Sequence, residues 1–208
     1  MYRPKAFVVD DPQLLRDFIR RRSFATIAAV IDGAAALAYA PVLLHVDEHR
    51  DIFRFHLAKS NPVASVADGE QLTFSFLGPD TYVSPDWYAS KGFVPTWNYA
   101  AIEGRGAVRR LSDDATHRLL VDLSAMHEGR LAPKAPWTMD KTPPEKVKAM
   151  LQAIVGFEVA ITSLQGKFKL SQDKKPEDVA GVIAALEAQS DGRARHIAAV
   201  MRRWNPKR

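Results

Sequence analysis

The amino-acid sequence predicts an antiparallel α+β barrel, on three observations. Segments of alternating apolar and polar residues recur between Phe24 and Arg110. Two of them meet at Asp32-Gly33, a dipeptide suited to a tight hairpin. Strands and helices do not alternate regularly, as a doubly wound parallel sheet requires.

The elements follow in order. Asp11 is placed to cap a first helix with Pro12 in its first turn. Leu14, Leu15, Phe18 and Ile19 give that helix one apolar face, and Arg20-Arg21-Arg22 suit its negative dipole end. Residues 24–31 and 35–46 read as the hairpin strands, with Pro41 marking an edge or a bulge in the second. Phe53, Phe55 and Leu57 alternate with Arg54 and His56, the period-two signature of a half-buried strand. Asn61-Pro62 then opens a short helix that Asp68-Gly69 should end. Leu72, Phe74 and Phe76 mark another strand, and residues 78–97 read as a long loop rich in aromatics, Pro and Gly.

A strand over 98–110 follows, and its Gly104 and Gly106 permit a close approach. Ser112 is placed to cap a helix bearing Leu119, Leu123 and Met126. Thr142 and Glu145 have capping-box spacing before Val147, Met150, Leu151 and Ile154. Residues 157–164 and 167–170 supply the last strands. Two helical patterns close the chain, one on Val179, Val182, Ile183 and Leu186, the other on Ile197, Val200, Met201 and Trp204. The expected organisation is a barrel domain over 1–172 and a helical segment with a basic tail over 173–208.

Composition narrows the class. With 47% hydrophobic and 25% charged residues, the 208-residue chain can bury a sizeable core. No apolar run approaches the roughly 18 residues of a membrane span, and no apolar stretch behind Met1-Tyr2-Arg3-Pro4-Lys5 resembles a signal peptide. The absence of cysteine excludes disulfides and thiolate metal sites and is compatible with a reducing compartment. These features favour a cytoplasmic protein without a membrane partner. The net charge of +5 resides wholly in the last eighteen residues, where Arg193, Arg195, Arg202, Arg203, Lys207 and Arg208 face Asp191 alone. A basic tail, not a basic body, is therefore the feature that could meet nucleic acid.

The sharpest local constellation is His56-Leu57-Ala58-Lys59-Ser60-Asn61-Pro62. A lysine, a hydroxyl and an amide stand where a strand hands over to a helix N-terminus, whose free N–H groups attract anions. A phosphate would fit there; equally, Asn61 would simply cap the helix. Trp87, Tyr88, Trp97 and Tyr99 could stack on a planar ring or form a satellite core under their loop. His45-Val46-Asp47-Glu48-His49 spells a metallopeptidase pattern, but the pattern needs a helix and this segment enters a charged turn, so no metal is expected. Gly104-Arg105-Gly106 lacks the following helix of a dinucleotide fingerprint. Two helices around Ser190-Asp191-Gly192 could form a helix-turn-helix, or a helical hairpin packed on the barrel with a solvated basic face.

Several longer motifs in one order give a resemblance. They are Met1-Tyr2-Arg3-Pro4 with Phe7, His56 to Pro62, Tyr82-Val83-Ser84-Pro85-Asp86-Trp87-Tyr88, Val94-Pro95-Thr96-Trp97-Asn98-Tyr99, and Gly166-Lys167-Phe168-Lys169-Leu170-Ser171-Gln172. Through them the chain resembles the FMN-binding negative transcriptional regulators, the PaiB family. The resemblance implies an FMN-binding split β-barrel with peripheral helices and a C-terminal helical segment, and a homodimer with flavin at the interface. It implies that Lys59, Ser60 and Asn61 grip the FMN phosphate with His56 beside them. It also implies that Trp97, Asn98 and Tyr99 lie near the flavin or dimer contact, and that Lys169, Ser171 and Gln172 close the site. Lys59-Ser60 stands where the family more often has Arg-Ala, which keeps the charge without a bidentate grip. Asp173 replaces an Asn expected after Gln172. The functional expectation is a negative transcriptional regulator; the alternative is a flavin- or haem-dependent oxidoreductase using NAD(P)H, and the catalytic residues stay unassigned.

Overall fold

The computed structural model describes residues 1–47 and 50–204. Its strands are β1 (Val8–Val9), β2 (Phe24–Ile31), β3 (Ala34–Pro41), β4 (Leu43–Val46), β5 (Asp51–Ala58), β6 (Gln71–Val83), β7 (Thr96–Arg110) and β8 (Ile154–Lys169). The helices are α1 (Pro12–Arg21), α2 (Asp113–Glu128), α3 (Pro144–Gln152), α4 (Pro176–Glu187) and α5 (Gly192–Trp204). Strand order is β3-β2-β6-β7-β8-β5-β4, with β1 paired to β8. The β1–β8, β2–β3, β2–β6, β4–β5 and β5–β8 pairs are antiparallel. The Glu48-His49 half of the metallopeptidase pattern and the terminal Lys207-Arg208 lie outside the described residues.

The chain forms two compact units. One comprises Arg16–Phe76 and Glu103–Leu164 and holds the barrel. Asp32 (φ 51°) and Gly33 (φ 77°) both take left-handed backbone, which a tight hairpin with right-handed strand twist requires. The turn sets Phe24 opposite Pro41 and Ile31 opposite Ala34. Strand pairing lapses after Pro41, as its sequence position indicated, and resumes at Leu43. Alternation sends Phe53, Phe55, Phe74, Phe76 and Phe157 inward, all fully buried. Phe53 meets Phe74 and Phe76 edge to face at 5.1 and 5.4 Å, while Phe55 stacks on Phe157 at 5.3 Å. Burying each such ring is worth about 1.5–3 kcal/mol. Helix α2 starts at the Ser112 cap, whose Oγ accepts from Ala115 N at 3.2 Å. It buries Thr116, Leu119 and Leu123. Gly156 makes room for it: a Cβ there would stand 2.4 Å from Thr116 Oγ1.

The other unit comprises Met1–Leu15, Leu77–Ile102 and Gln165–Arg208. Asp11 Oδ1 caps α1 by accepting from Gln13 N and Leu14 N at 2.9 and 3.2 Å. Helices α4 and α5 form a hairpin that buries Val179, Val182, Leu186, Ile197 and Met201. Phe168 packs on Trp204 at 5.0 Å, so α5 covers the end of β8. Most of the hairpin's basic residues are tied to its own turn. Arg202 grips Glu187 through two bonds of 2.6 and 2.7 Å, and Arg195 donates to Gln189 O and Ser190 O.

Four local expectations change. The long loop shortens because β6 continues to Val83. Strand β2 pairs with β6 only across Thr73–Ser75, so Gly78 and Pro79 interrupt no β2 ladder. The last two strands are one, because Gly166 is not a turn. A Cβ there would stand 2.8 Å from Val9 O, and its absence lets β1 pair at Val9. The capping box does not form. Pro144 forces Pro143 into extended backbone (ψ 135°), so the helix starts one residue late and Thr142 is no longer its cap. The Asn61 helix is a four-residue 3₁₀ turn ending at Ser65, well before Gly69.

Gly106 offers a direct check on the packing of β7 against β8. An added Cβ would stand 2.1 Å from Ala160 O, an atom of the backbone. Gly106→Ala is expected to destabilise by about 2–3 kcal/mol, measured as the shift in urea midpoint. An unchanged midpoint would show that this contact is looser than described.

Candidate functional site

Two groups of expected site residues fall in different units. The first lies at the end of β5. Lys59 N donates to Ala153 O at 2.9 Å and Asn61 N to Ala58 O at 2.9 Å, turning the chain out of the strand. Asn61 Oδ1 accepts from Val63 N at 2.9 Å, and Asn61 O accepts from Ala64 N at 2.8 Å. The capping alternative for Asn61 is therefore realised, and the free N–H groups imagined for an anion are mostly committed. Arg110 extends the junction, donating to Ala64 O at 2.7 Å. The side chains of Lys59 and Ser60 are exposed and make no hydrogen bond or ion pair among the described residues. A cation and a hydroxyl thus remain available side by side.

His56 shares its strand face with Ile52 and Arg54 and stands opposite Gly156. Its Nδ1 is buried without a hydrogen-bond partner among the described residues. Burial lowers its pKa from the ordinary 6.5, which keeps the imidazole neutral near pH 7.

The second group surrounds a cavity of about 140 Å³ lined by residues that include Tyr88, Phe93, Thr96, Asn98, Lys169 and Ser171. Asn98 is fully buried on β7. Its Nδ2 donates to Ser171 Oγ at 2.9 Å and toward Met201 Sδ at 3.4 Å. Ser171 holds a left-handed backbone (φ 62°), a conformation costly for a residue with a Cβ. Gln172 supports it: Oε1 accepts from Leu170 N at 2.7 Å and Nε2 donates to Phe168 O. Lys174 N also donates to Ser171 O at 3.0 Å. Asn98 and Gln172 thus shape the cavity, and most of their polar atoms are committed to the chain itself.

Cations edge this cavity. Lys169 donates to Thr96 Oγ1, and burial lowers its pKa. Lys174 lies 5.0 Å from the Phe93 ring. Lys167 is not part of the lining and lies 5.4 Å from the Tyr99 ring. Tyr88 is raised by burial, against which its hydrogen bond with Ser171 works. Trp97 and Tyr99 alternate with Asn98 and point to the other strand face, where Trp97 is half exposed and meets Tyr82 edge to face. The satellite-core reading is realised for Tyr88, which packs on Phe93 at 4.6 Å, while Trp97 remains open. Thr96, Lys174 and Arg110 were not anticipated. Only the Asp173-Lys174-Lys175 run hinted at one of them, and it reads as an ordinary solvated turn.

The antiparallel sheet, curled around a phenylalanine core with flanking helices, is a split barrel. The chain belongs to the family described as "Putative FMN-binding domain", which it matches over residues 1–163. It is 28% identical over 202 residues to "Protease synthase and sporulation protein PAI 2" of Bacillus subtilis, covering 97% of this chain and 96% of that one. Among solved structures it is similar to an FAD- and haem-binding protein of Mycobacterium smegmatis, with TM-score 0.57, 21% identity, and 83% and 78% of the two chains covered. It is also similar to a conserved hypothetical protein of Mycobacterium tuberculosis, with TM-score 0.58, 15% identity, and coverage of 84% and 94%. FMN is accordingly the cofactor of the family to which the chain belongs.

The buried His56 sets a pH dependence. Its folded pKa lies below the unfolded value, so the unfolded chain binds the proton first and stability falls as pH drops below 6.5. His127, also lowered by burial, adds in the same direction. The urea midpoint is expected to fall between about pH 7.5 and about pH 5.5, and to fall less in His56→Gln. An identical pH profile for the variant would remove His56 as a cause.

Proposed function

We propose that the protein binds FMN through Lys59 and Ser60, which take the phosphate at the turn that Asn61 caps. The observation that carries this reading is the pair of uncommitted polar side chains at that turn, in a chain of the FMN-binding family. His56, with its orphaned buried Nδ1, supports the phosphate end. In the other unit, Trp97, Asn98, Tyr99, Lys169, Ser171 and Gln172 are a separate set of flavin-binding candidates, among which Trp97 offers an exposed aromatic face. Bound flavin supplies reversible electron or hydride transfer. The chain's own contribution is to bind and orient it.

The protein acts as a homodimer. Phe24, Val30, Leu37 and Tyr39 are 65, 69, 54 and 62% exposed, and all lie on the outward face of the β2–β3 hairpin. A contiguous apolar strip of this kind is what a subunit contact would cover. We assign it a regulatory role, as the Bacillus relative's sporulation name suggests, in the cytoplasm. No helix among the described residues is long and apolar enough to cross a membrane. The ion pairs that tie Arg202 and Arg193 to Glu187 and Asp191 favour a packed helical hairpin over a DNA-reading second helix.

Purified protein is expected to show a flavin absorption spectrum or to quench added FMN saturably; a colourless protein without quenching would refute FMN binding. Lys59→Ala should weaken FMN by roughly tenfold or more and leave riboflavin, which lacks the phosphate, nearly unchanged. Equal loss for both would place the phosphate elsewhere. Leu37→Asp should convert dimer to monomer in light scattering, and a dimer that persists would exclude the hairpin face.

A further inference from the structure

The barrel unit contains a second cavity that shares no residue with the flavin-directed groups. It is a cleft of about 310 Å³ between α2 and the outer face of β5, β7 and β8. Helix α2 contributes Ala115, Arg118, Leu119 and Asp122, an i, i+3, i+4, i+7 stripe on one face. The strands contribute Arg54, Arg109 and Glu158. Thr116 seats the first turn of α2 against Gly156, and the short Ala115 side chain leaves the space beside it open.

Charge is distributed unevenly in this cleft. Arg54 stands directly across from Glu158 and donates to it at 3.3 Å, and Arg109 donates to the other oxygen. Glu158 is therefore saturated. Arg118 is exposed and makes no hydrogen bond or ion pair among the described residues, although Asp122 lies one turn along the same helix. Three guanidiniums against two carboxylates leave one positive charge at the mouth. Leu111, Ala115 and Leu119 supply an apolar wall.

We propose that this cleft binds a small organic monocarboxylate with an apolar body. The free Arg118 fork matches a planar carboxylate, as Arg54 and Arg109 already match that of Glu158. A single net charge favours a monoanion, since Glu158 and Asp122 would repel a second negative charge. The wall accepts the apolar part, and the volume lies at the lower end of ligand clefts, which begin near about 300 Å³.

Isothermal titration of the full-length protein with benzoate, acetate and inorganic phosphate tests this. Benzoate is expected to bind saturably with a dissociation constant below about 1 mM. Acetate, without an apolar body, should bind at least about tenfold more weakly. Arg118→Ala, at an exposed position, and Ala115→Leu, which fills the cleft from the helix surface, should each weaken benzoate by about tenfold or more while leaving the melting temperature near wild type. No benzoate binding, or benzoate affinity unchanged in either folded variant, would overturn the proposal. Phosphate binding as tightly as benzoate would reduce the cleft to a generic anion site and overturn it as well.

Discussion

Strand β3 ends at one extreme of the hydrogen-bonded strand order and β4 begins at the other, yet Val42 alone separates them. A flat sheet cannot meet that condition, because neighbouring strands lie about 4.8 Å apart and five other strands intervene. The barrel unit must curl until β3 approaches β5, and Val42 itself becomes buried. Curling places the inward faces of β5 and β6 against each other, and the edge-to-face cluster of Phe53, Phe74 and Phe76 fills the resulting interior. No ladder joins β3 to β4 among the described residues, so the barrel is split rather than hydrogen-bonded all round.

The proposed site residues of that unit inherit their positions from this closure. Strand β5 is held on one side by β4 and on the other by β8, which fixes where it ends and where the chain turns at Lys59. The same pairing sets Arg54 opposite Glu158 and His56 opposite Gly156. The barrel's outer face beneath α2 thereby carries a charged patch, while the inner face stays apolar. The two faces of one strand serve two different purposes, as period-two geometry allows.

A recurring division separates polar groups that build a site from those left to act in it. Asn61, Asn98 and Gln172 satisfy backbone or neighbouring side chains and hold turns in place. Ser171 can keep its left-handed backbone because Asn98, Gln172 and Lys174 bond around it. Lys59, Ser60 and Arg118, by contrast, project side chains without partners among the described residues. The amides hold the turns, and the uncommitted side chains are the ones proposed to recognise ligands. The tail follows the same logic in reverse: Arg195 and Arg202 look free in the sequence but are committed to the hairpin turn.

Much of the barrel was legible in the sequence because its signals are local. The Asp32-Gly33 turn, the Phe53-Phe55-Leu57 alternation and the Asp11 and Ser112 caps depend on residues within a few positions of one another. The motifs also pointed to the family and to the Lys59 junction. Elements whose meaning lies in a distant partner were not legible. Gly166 looks like a break but accommodates Val9, and Gly106 clears the backbone of Ala160. The sequence alone determined strand periodicity, the Asp11, Asn61 and Ser112 caps and the identity of the side chains at the β5 turn. Tertiary structure alone decided which polar atoms remain available, because their partners come from remote segments: Glu158 for Arg54 and Arg109, Ser171 for Asn98, and, among the described residues, none for Arg118.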